Sequence, residues 1–290
     1  MINVSLDLYK TFYMVAKLKS MTLAADELMV SQPAISKSIK TLEDQVGVTL
    51  FNRSNKGLEL TEEGKMLYER IEPAIILISN AENQFNEFKD LNIGEIKIGI
   101  SSVLTKCLLT NLIYEFGLKY PNIKISIING LTNELIEKLN KGHLDFVIFN
   151  ESHKVENNVD LEKLTSLDYK FFYNPKYFSN INPLKLKDIE EYPLILQPKE
   201  SNTRMFLEDY CKKNFNPKLE VVSQDLICHF VRKGLGIGFA FENLIDNDLV
   251  KINFGVSMTT NIFLAKNKSL EPSFASKTFI KELKKSLKNK

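Results

Sequence analysis

The sequence predicts an α/β protein in which a winged helix-turn-helix is followed by a long linker helix and then by a larger region of alternating strands and helices. Two short helical patterns separated by a tight turn occur near the N-terminus. One apolar pattern of helical period follows them, and after it short apolar runs alternate with amphipathic segments. At 290 residues, 44% of them hydrophobic and 26% charged, the chain is long enough for two or three compact units of a soluble globular protein.

The first helical pattern covers residues 22–28 and ends in a tight turn. Thr22 is a suitable N-cap, because its hydroxyl can accept a hydrogen bond from a free N–H group of the first turn. Ala24 and Ala25 are small enough to let a second helix approach closely. Residues 29–30 form the turn itself.

The second helical pattern begins at Ser31, which is also a suitable cap, and carries Pro33 in its first turn, where a missing N–H costs nothing. Its apolar residues recur at helical spacing and predict one buried stripe: Ile35, Ile39, Leu42 and Val46. Its polar residues lie on the opposite face: Gln32, Ser36, Lys37 and Lys40. Gln can read the edge of adenine in the major groove, and Ser, Lys and the helix N-terminus can bind phosphate. This face is therefore a candidate for DNA recognition.

A set of short motifs carries a specific resemblance to the LysR-type transcriptional regulators. The motifs are A-A-x-x-L at 24–28, SQPAIS at 31–36, LE at 42–43, LFNR at 50–53 and LTEEG at 60–64. The close match covers about the first quarter of the chain, whereas the remainder agrees with the family in element order. The resemblance implies that Gln32, Pro33, Ser36 and Lys37 contact DNA and that Arg53 reaches from the wing toward the minor groove.

The residues expected to bind DNA are therefore Thr22, Ser31, Gln32, Pro33, Ser36, Lys37, Lys40, Arg53 and Lys56. The alternative is an ordinary helical hairpin whose polar face is only solvated. Overall charge does not separate the two, because residues 1–60 contain seven Lys and Arg against six Asp and Glu. The motifs favour DNA binding.

The linker helix is predicted over residues 62–90, after Thr61 as its cap and with two carboxylates in its first turn. Such a helix is ~43 Å long, and Pro73 could kink it. Its apolar residues alternate at three and four positions and form a heptad seam: Gly64, Leu67, Ile71, Ala74, Ile78, Ala81, Phe85 and Phe88. We expect Leu67, Ile71, Ala74, Ile78 and Phe85 to pair with a second subunit; packing on the same chain is the alternative. The resemblance likewise implies a homodimer or homotetramer.

The remaining two thirds of the chain predict alternating strands and helices. The expected strands are 95–100, 123–129, 146–150, 167–173, 194–197, 219–222, 237–241 and 262–266, and the expected helices are 106–120, 132–141, 202–215, 224–233 and 274–287. This order predicts parallel sheets. The glycines at 234, 236 and 238 follow a helix and precede a strand, which is the reverse of a dinucleotide-binding turn, so they predict a tight helix-to-strand turn.

The resemblance implies that this region is a two-lobed effector domain like a periplasmic binding protein. The expected domains are a winged helix-turn-helix at 1–61, a linker and dimerisation helix at 62–91 and an effector-binding domain at 92–290. Within the last, lobe I covers about 92–162 and 267–290 and lobe II about 163–266. Many family members have a proline after the glycine-rich turn, whereas this chain has Phe241.

Polar residues follow the carboxyl ends of several predicted strands, where open parallel sheets bind ligands. Hydroxyls and N–H groups at helix starts suit a small anion such as a carboxylate or an oxyanion, although each could equally be a helix cap. The candidate effector-binding residues are Ser101, Ser102, Gly130, Thr132, Phe149, Asn150, Gln197, Ser201, Asn202 and Thr203.

Other classes of function find little support in the sequence. Three cysteines and three histidines do not cluster, so we expect no metal, no cofactor and no catalytic residues; a thiol switch at Cys211 or Cys228 is an alternative to buried, inert cysteine. Asp7 interrupts the apolar residues at the N-terminus, and other apolar runs are far shorter than the ~20 residues that cross a bilayer, which predicts a cytoplasmic protein with no membrane partner.

The expected function is an effector-controlled DNA-binding regulator, not an enzyme. Its expected partners are a double-stranded operator, a small molecule, a second copy of itself and RNA polymerase. The alternatives are an architectural DNA-binding protein without a working effector site and, with less support, a solute-binding or enzyme-like α/β protein.

Overall fold

The computed structural model describes residues 4–54, 57–89, 94–150, 158–178, 181 and 186–288. It divides into two compact units, Met1–Phe85 and Asn86–Lys290. In the described residues, no helix is long and apolar enough to cross a membrane.

Three helices form the core of the first unit: α1 (Leu6–Leu18), α2 (Met21–Glu27) and α3 (Gln32–Val46). The predicted stripe on α3 is confirmed, because Ile35, Ile39 and Leu42 are buried and Val46 packs at their edge. Gly47 ends α3 in the left-handed region at φ +77°, which a glycine adopts without strain.

The cap of α2 differs from the prediction. Ser20, not Thr22, is the N-cap, and its hydroxyl accepts a hydrogen bond from the N–H of Leu23 at 3.2 Å. Thr22 lies one residue inside the helix and is exposed. Both hydroxyl residues suit the cap by type, but the helix begins at Met21, directly after Ser20. The predicted turn is confirmed at 29–30, with Met29 at φ +55°.

The wing and the linker helix follow as predicted. The wing consists of two antiparallel strands, β1 (Phe51–Ser54) and β2 (Gly57–Leu60). Helix α4 (Glu62–Lys89) begins after Thr61, whose hydroxyl accepts a hydrogen bond from the N–H of Gly64 at 2.9 Å. The predicted cap at Thr61 is therefore confirmed.

The first turns of α4 pack partly against their own unit, and the pairing of α4 with a second subunit stays a prediction. Gly64 is buried against the wing, and an added Cβ would lie 2.2 Å from the carbonyl oxygen of Leu50. Leu67 packs against the core of its own unit. The two residues that begin the heptad are therefore used within the chain, while Ala74 and Ile78 further along are exposed. The side chains of Phe85 and Phe88 lie outside the described part.

The second unit contains one mixed nine-stranded sheet with helices on both faces. Its strands are β3 (Gly94–Ile100), β4 (Ile123–Ile128), β5 (Phe146–Asn150), β6 (Val159–Tyr173), β7 (Leu194–Leu196), β8 (Leu219–Glu220), β9 (Ile237–Phe241), β10 (Val250–Lys251) and β11 (Met258–Asn267). Its helices are α5 (Ser102–Leu104), α6 (Thr110–Lys119), α7 (Thr132–Asn140), α8 (Asn202–Cys211), α9 (Gln224–Arg232) and α10 (Phe274–Lys288).

The sheet joins two parallel lobes through a pair of antiparallel strands. The strand order is β4-β3-β5-β11-β6-β9-β7-β8, with β10 paired to β6. The first three strands are parallel, as are β7, β8 and β9, which confirms the prediction for each lobe. β6 and β11 run antiparallel to each other and to their neighbours. The exact residues at which one lobe ends stay a prediction, because these two strands belong to both.

Several boundaries differ from those predicted. The helix expected at 106–120 is interrupted by a π-helical turn at Thr105–Leu109, and the one expected at 202–215 ends at Cys211 because Lys212 is left-handed at φ +50°. β6 begins eight residues earlier than the strand expected at 167–173, and β8 is shorter than expected. The glycine-rich turn is confirmed, with Gly234 at φ +79° between α9 and β9.

Candidate functional site

The exposed face of α3 presents the polar residues expected to meet DNA. Gln32, Lys37 and Lys40 are exposed, and Ser36 is half-buried beside the apolar stripe. Ser31 caps the helix through its backbone conformation, without a hydrogen bond from its side chain. Thr22 and Pro33 are also exposed. The first turn of α3 therefore offers N–H groups and exposed polar side chains on one surface.

The wing is attached to α3 by one carboxylate. Glu43, the acidic residue of the LE motif, accepts hydrogen bonds from the N–H groups of Leu50 at 2.7 Å and Phe51 at 3.3 Å. This contact fixes where β1 starts relative to α3. Arg53 lies two residues further along β1, opposite Leu58, and its side chain is outside the described part, as is Lys56.

The second unit contains a cavity of about 380 Å³ between its two lobes. All ten residues expected from the sequence to bind an effector line this cavity, so the structure does bring them together: Ser101, Ser102, Gly130, Thr132, Phe149, Asn150, Gln197, Ser201, Asn202 and Thr203. Its volume lies in the usual range for a small-molecule site. Their role in binding stays a prediction.

The sequence reasoning missed other lining residues, among them Glu134, Gln224 and Phe241. Glu134 and Gln224 lie in the first turns of α7 and α9. The predicted helix starts, which identified Thr132 and Thr203 as candidates, could therefore have identified these two residues as well. Tyr169 does not line the cavity but lies directly behind it. No sequence signal pointed to Tyr169, because its role depends on contacts between distant segments.

A network of neutral side chains lies along and behind the wall of the cavity. Tyr169 is fully buried, and its ring stacks on Phe241 with centroids 4.1 Å apart. Its hydroxyl accepts a hydrogen bond from the amide of Asn150 at 3.1 Å and lies 3.3 Å from the hydroxyl of Thr203. Burial raises the pKa of Tyr169, which keeps this hydroxyl protonated at neutral pH.

Gln224 extends the network and connects it to the backbone. Its amide donates to Thr203 at 3.0 Å and to Gln197 at 3.2 Å, and its oxygen accepts from the N–H of Phe241 at 3.2 Å. A proline at position 241 has no N–H and could not make this last bond. Phe241 therefore supplies a backbone donor that the network uses.

Asn202 joins the two lobes across the mouth of the cavity. Its amide donates to the hydroxyl of Thr132 at 3.0 Å and lies 3.2 Å from the side-chain oxygen of Asn150. Both acceptors belong to lobe I, whereas Asn202 begins α8 in lobe II. A second bridge is the ion pair between Lys106 and Asp225, whose charged atoms lie 2.7 Å apart.

A buried arginine supports the wall behind Gln197. Arg204 has no exposed side-chain surface and pairs with Glu208 at 2.7 Å. It also donates to the carbonyl oxygens of Gln197 at 3.2 Å and of Phe215. One side chain therefore holds the segment before α8 and the segment after it.

Cys211 and Cys228, the two cysteines considered for a thiol switch, lie in surroundings that disfavour the thiolate. Burial raises the pKa of Cys228 to about 11 and also raises the pKa of Cys211, so both thiols are protonated at neutral pH, the unreactive form. Within the described residues, no group of three or more His, Cys, Asp or Glu side chains is arranged to hold a metal ion.

Both units of this chain are similar in sequence to known protein families. Residues 6–65 match the family model for the bacterial regulatory helix-turn-helix protein of the lysR family, and residues 89–288 match the model for the LysR substrate binding domain. The HTH-type transcriptional regulator CysL of Bacillus subtilis is 26% identical over 91% of this chain and 89% of its own. The uncharacterised HTH-type transcriptional regulator YwqM of the same organism is 30% identical over 82% and 83%.

Solved structures share the fold over the full length. Full-length OxyR from Pseudomonas aeruginosa, in a variant with one cysteine replaced by aspartate, matches with a TM-score of 0.74 at 20% identity, covering 99% of this chain and 96% of that one. CbnR, described as a LysR family transcriptional regulator, matches with a TM-score of 0.66 at 18% identity, covering 98% and 99%. Because the two family models together cover nearly the whole chain, this protein belongs to the LysR family of transcriptional regulators.

Proposed function

We propose that this regulator reads its operator with the exposed face of α3 and responds to a small molecule in the cavity between its lobes. The observation that carries the proposal is the cavity itself, because ten residues predicted from separate strand ends and helix starts converge on it. Its place of action would be the cytoplasm, where the DNA lies. Contact with RNA polymerase belongs to the same proposal, since a regulator bound beside a promoter acts by recruiting or excluding polymerase.

The bridge at Asn202 suggests how a ligand would change the second unit. Its amide now donates to Thr132 and Asn150 across the cleft. A ligand between these groups would replace the direct bonds with its own and would favour one relative position of the lobes. A ligand shifts such an equilibrium only by its difference in affinity for the two states.

The DNA-reading proposal is tested on α3. Replacing Gln32 with Ala should remove about 1–3 kcal/mol of the free-energy difference between the preferred base and the other bases at one operator position, because a bidentate contact to a base is lost. Lys37→Ala should instead weaken binding to every sequence and reduce the log–log salt slope by about one unit per lost phosphate contact. Mobility shift over a range of salt concentrations measures both.

The matched control is Lys138→Ala, which removes an exposed lysine from α7 in the other unit. It should leave both affinity and slope unchanged. Folded Gln32 and Lys37 variants that bind like the unaltered protein would show that the assigned face is wrong.

We further propose that α4 pairs with a second subunit along its exposed apolar residues, which include Ala74, Leu77 and Ile78. Ile78→Lys should drive the protein toward monomer, because it would place an unpaired charge in a desolvated contact. Operator binding should fall with it, since two half-sites are no longer held together. Sedimentation at micromolar concentration is the measurement. Ser79→Lys, one residue away and exposed, is the control; equal effects of the two substitutions would contradict the seam.

The effector proposal is tested by thermal unfolding of the full chain with carboxylates, amino acids and sulfur or phosphorus oxyanions. A ligand at one hundred times its dissociation constant should stabilise the second unit against unfolding by about 2.7 kcal/mol. For a unit of this size, that raises Tm by roughly 5–11 °C. Ser101→Ala and Thr203→Val should abolish the shift and leave operator binding without ligand largely intact.

Thr278→Val is the control, because its hydroxyl lies on α10, away from the cavity, and bonds the carbonyl of Phe274 in its own helix. A ligand whose shift survives both cavity substitutions binds elsewhere. A chain that responds to no ligand but binds its operator would be an architectural DNA-binding protein.

A further inference from the structure

The charge of the cavity between the lobes is negative. Among its described lining residues, Glu134 is the only acidic or basic side chain; the others are apolar or neutral polar. Removing an anion from water is costly unless an opposite charge or a full set of hydrogen bonds replaces the water. A multiply charged anion would find no neutralising Lys, Arg or His in this lining.

A single carboxylate can still be accommodated at the start of α8. The hydroxyl of Ser201 accepts from the N–H of Arg204 at 3.1 Å, and the first two N–H groups of this ten-residue helix, at Asn202 and Thr203, have no acceptor in the described part of the chain. These donors and the positive end of the helix dipole suit one negative charge. They form part of the cavity wall, so the carboxylate would lie inside it.

Glu134 lies close to this position on the opposite lobe. It is in the first turn of α7, two residues after Thr132, whose hydroxyl is 3.0 Å from the amide of Asn202. Its carboxylate is exposed and has no ion-pair or hydrogen-bond partner among the described residues. An acidic residue in a first turn also offsets the helix dipole, but in this place it repels an anion and attracts a cation.

Resting on the proposed effector site, we infer that the ligand is a zwitterionic amino compound, with its ammonium group on Glu134 and its carboxylate at the start of α8. The remaining walls leave room for a short apolar part, because eight lining residues are apolar: Val103, Leu104, Leu131, Leu135, Ile148, Phe149, Val222 and Phe241. This assignment is narrower than the general anion that the sequence predicts.

The experiment compares matched pairs of probes on the full chain. Each L-amino acid is tested beside the carboxylate with the same carbon skeleton and no amino group, together with sulfate and phosphate. We expect at least one amino acid to raise Tm where its amine-free counterpart does not. Isothermal titration should then show that Glu134→Gln weakens binding of that amino acid at least ~3-fold, because the ammonium group loses its opposite charge.

The matched control is Glu137→Gln on the same helix, because Glu137 pairs with Lys141 and does not line the cavity. It should leave affinity unchanged. Three results would overturn the inference. The first is binding of only amine-free carboxylates or oxyanions, and the second is an amino acid whose affinity is the same in Glu134→Gln. The third is the absence of a Tm shift from any member of either series. If an amine-free ligand binds the unaltered protein but not Ser101→Ala or Thr203→Val, the proposed effector site is supported and only the assignment of an amino compound is wrong. An amino acid unaffected by those two substitutions would contradict the site itself.

Discussion

Replacing Gly64 with Ala is expected to destabilise the winged unit, although alanine is the better helix former. An added Cβ would lie 2.2 Å from the carbonyl oxygen of Leu50, a backbone atom that cannot rotate away. The wing or the start of α4 must therefore shift, at a cost of about 1–3 kcal/mol. For a unit of this size, Tm should fall by more than about 4 °C, as measured by scanning calorimetry.

The control is Gly117→Ala on α6, where an added Cβ has nothing within 4 Å. Gly117→Ala should stabilise the second unit by about 0.5–1 kcal/mol, because alanine loses less backbone entropy than glycine when a helix forms. Two identical substitutions should therefore change stability in opposite directions. A Tm that is unchanged or raised in Gly64→Ala would mean that α4 does not pack on the wing as closely as the structure shows.

Arg204→Ala should lower the free energy of unfolding of the second unit by about 3–5 kcal/mol, more than the cost expected for Gly64→Ala in the first unit. It would leave Glu208 without its opposite charge and the carbonyl oxygens of Gln197, which lines the cavity, and of Phe215 without this donor. Leaving a largely buried carboxylate without its opposite charge is costly. The thermal transition of this unit should fall by roughly 6–20 °C.

Arg232→Ala is the matched control, because Arg232 also has two acidic contacts, Asp246 and Asp248, but its side chain is 40% exposed. A surface pair of this kind contributes about 0–1 kcal/mol. Similar losses in the two variants would show that burial of Arg204 is not what makes it important.

The helix-turn-helix could be predicted from the sequence in detail, because its signals are local. Helical spacing of Ile35, Ile39 and Leu42, the turn at 29–30 and the glycine after α3 each act within a few residues. The same holds for the helix starts and strand ends that supplied the ten cavity residues. Their convergence was also predictable, because carboxyl ends of parallel strands share one edge of a sheet.

Local patterns were insufficient where more than one residue or segment could fill the same role. Ser20 and Thr22 are equivalent as caps by residue type, but α2 begins at Met21, which places Ser20 at the cap. The heptad pattern of α4 is continuous in sequence, but Gly64 lies against the wing and Leu67 packs on the core of its own unit. Periodicity identifies an apolar face without identifying what covers it.

By itself, the sequence determined the order of the elements, the recognition helix, the candidate cavity residues and the family, since these follow from short-range spacing and motifs. Only the tertiary structure decided that Tyr169 and Gln224 connect the cavity wall, that Asn202 bridges the lobes and that Glu134 is the only acidic or basic side chain in the described lining. Each of these facts joins residues far apart in the chain. Such contacts depend on the packing of the whole sheet, which no local pattern encodes.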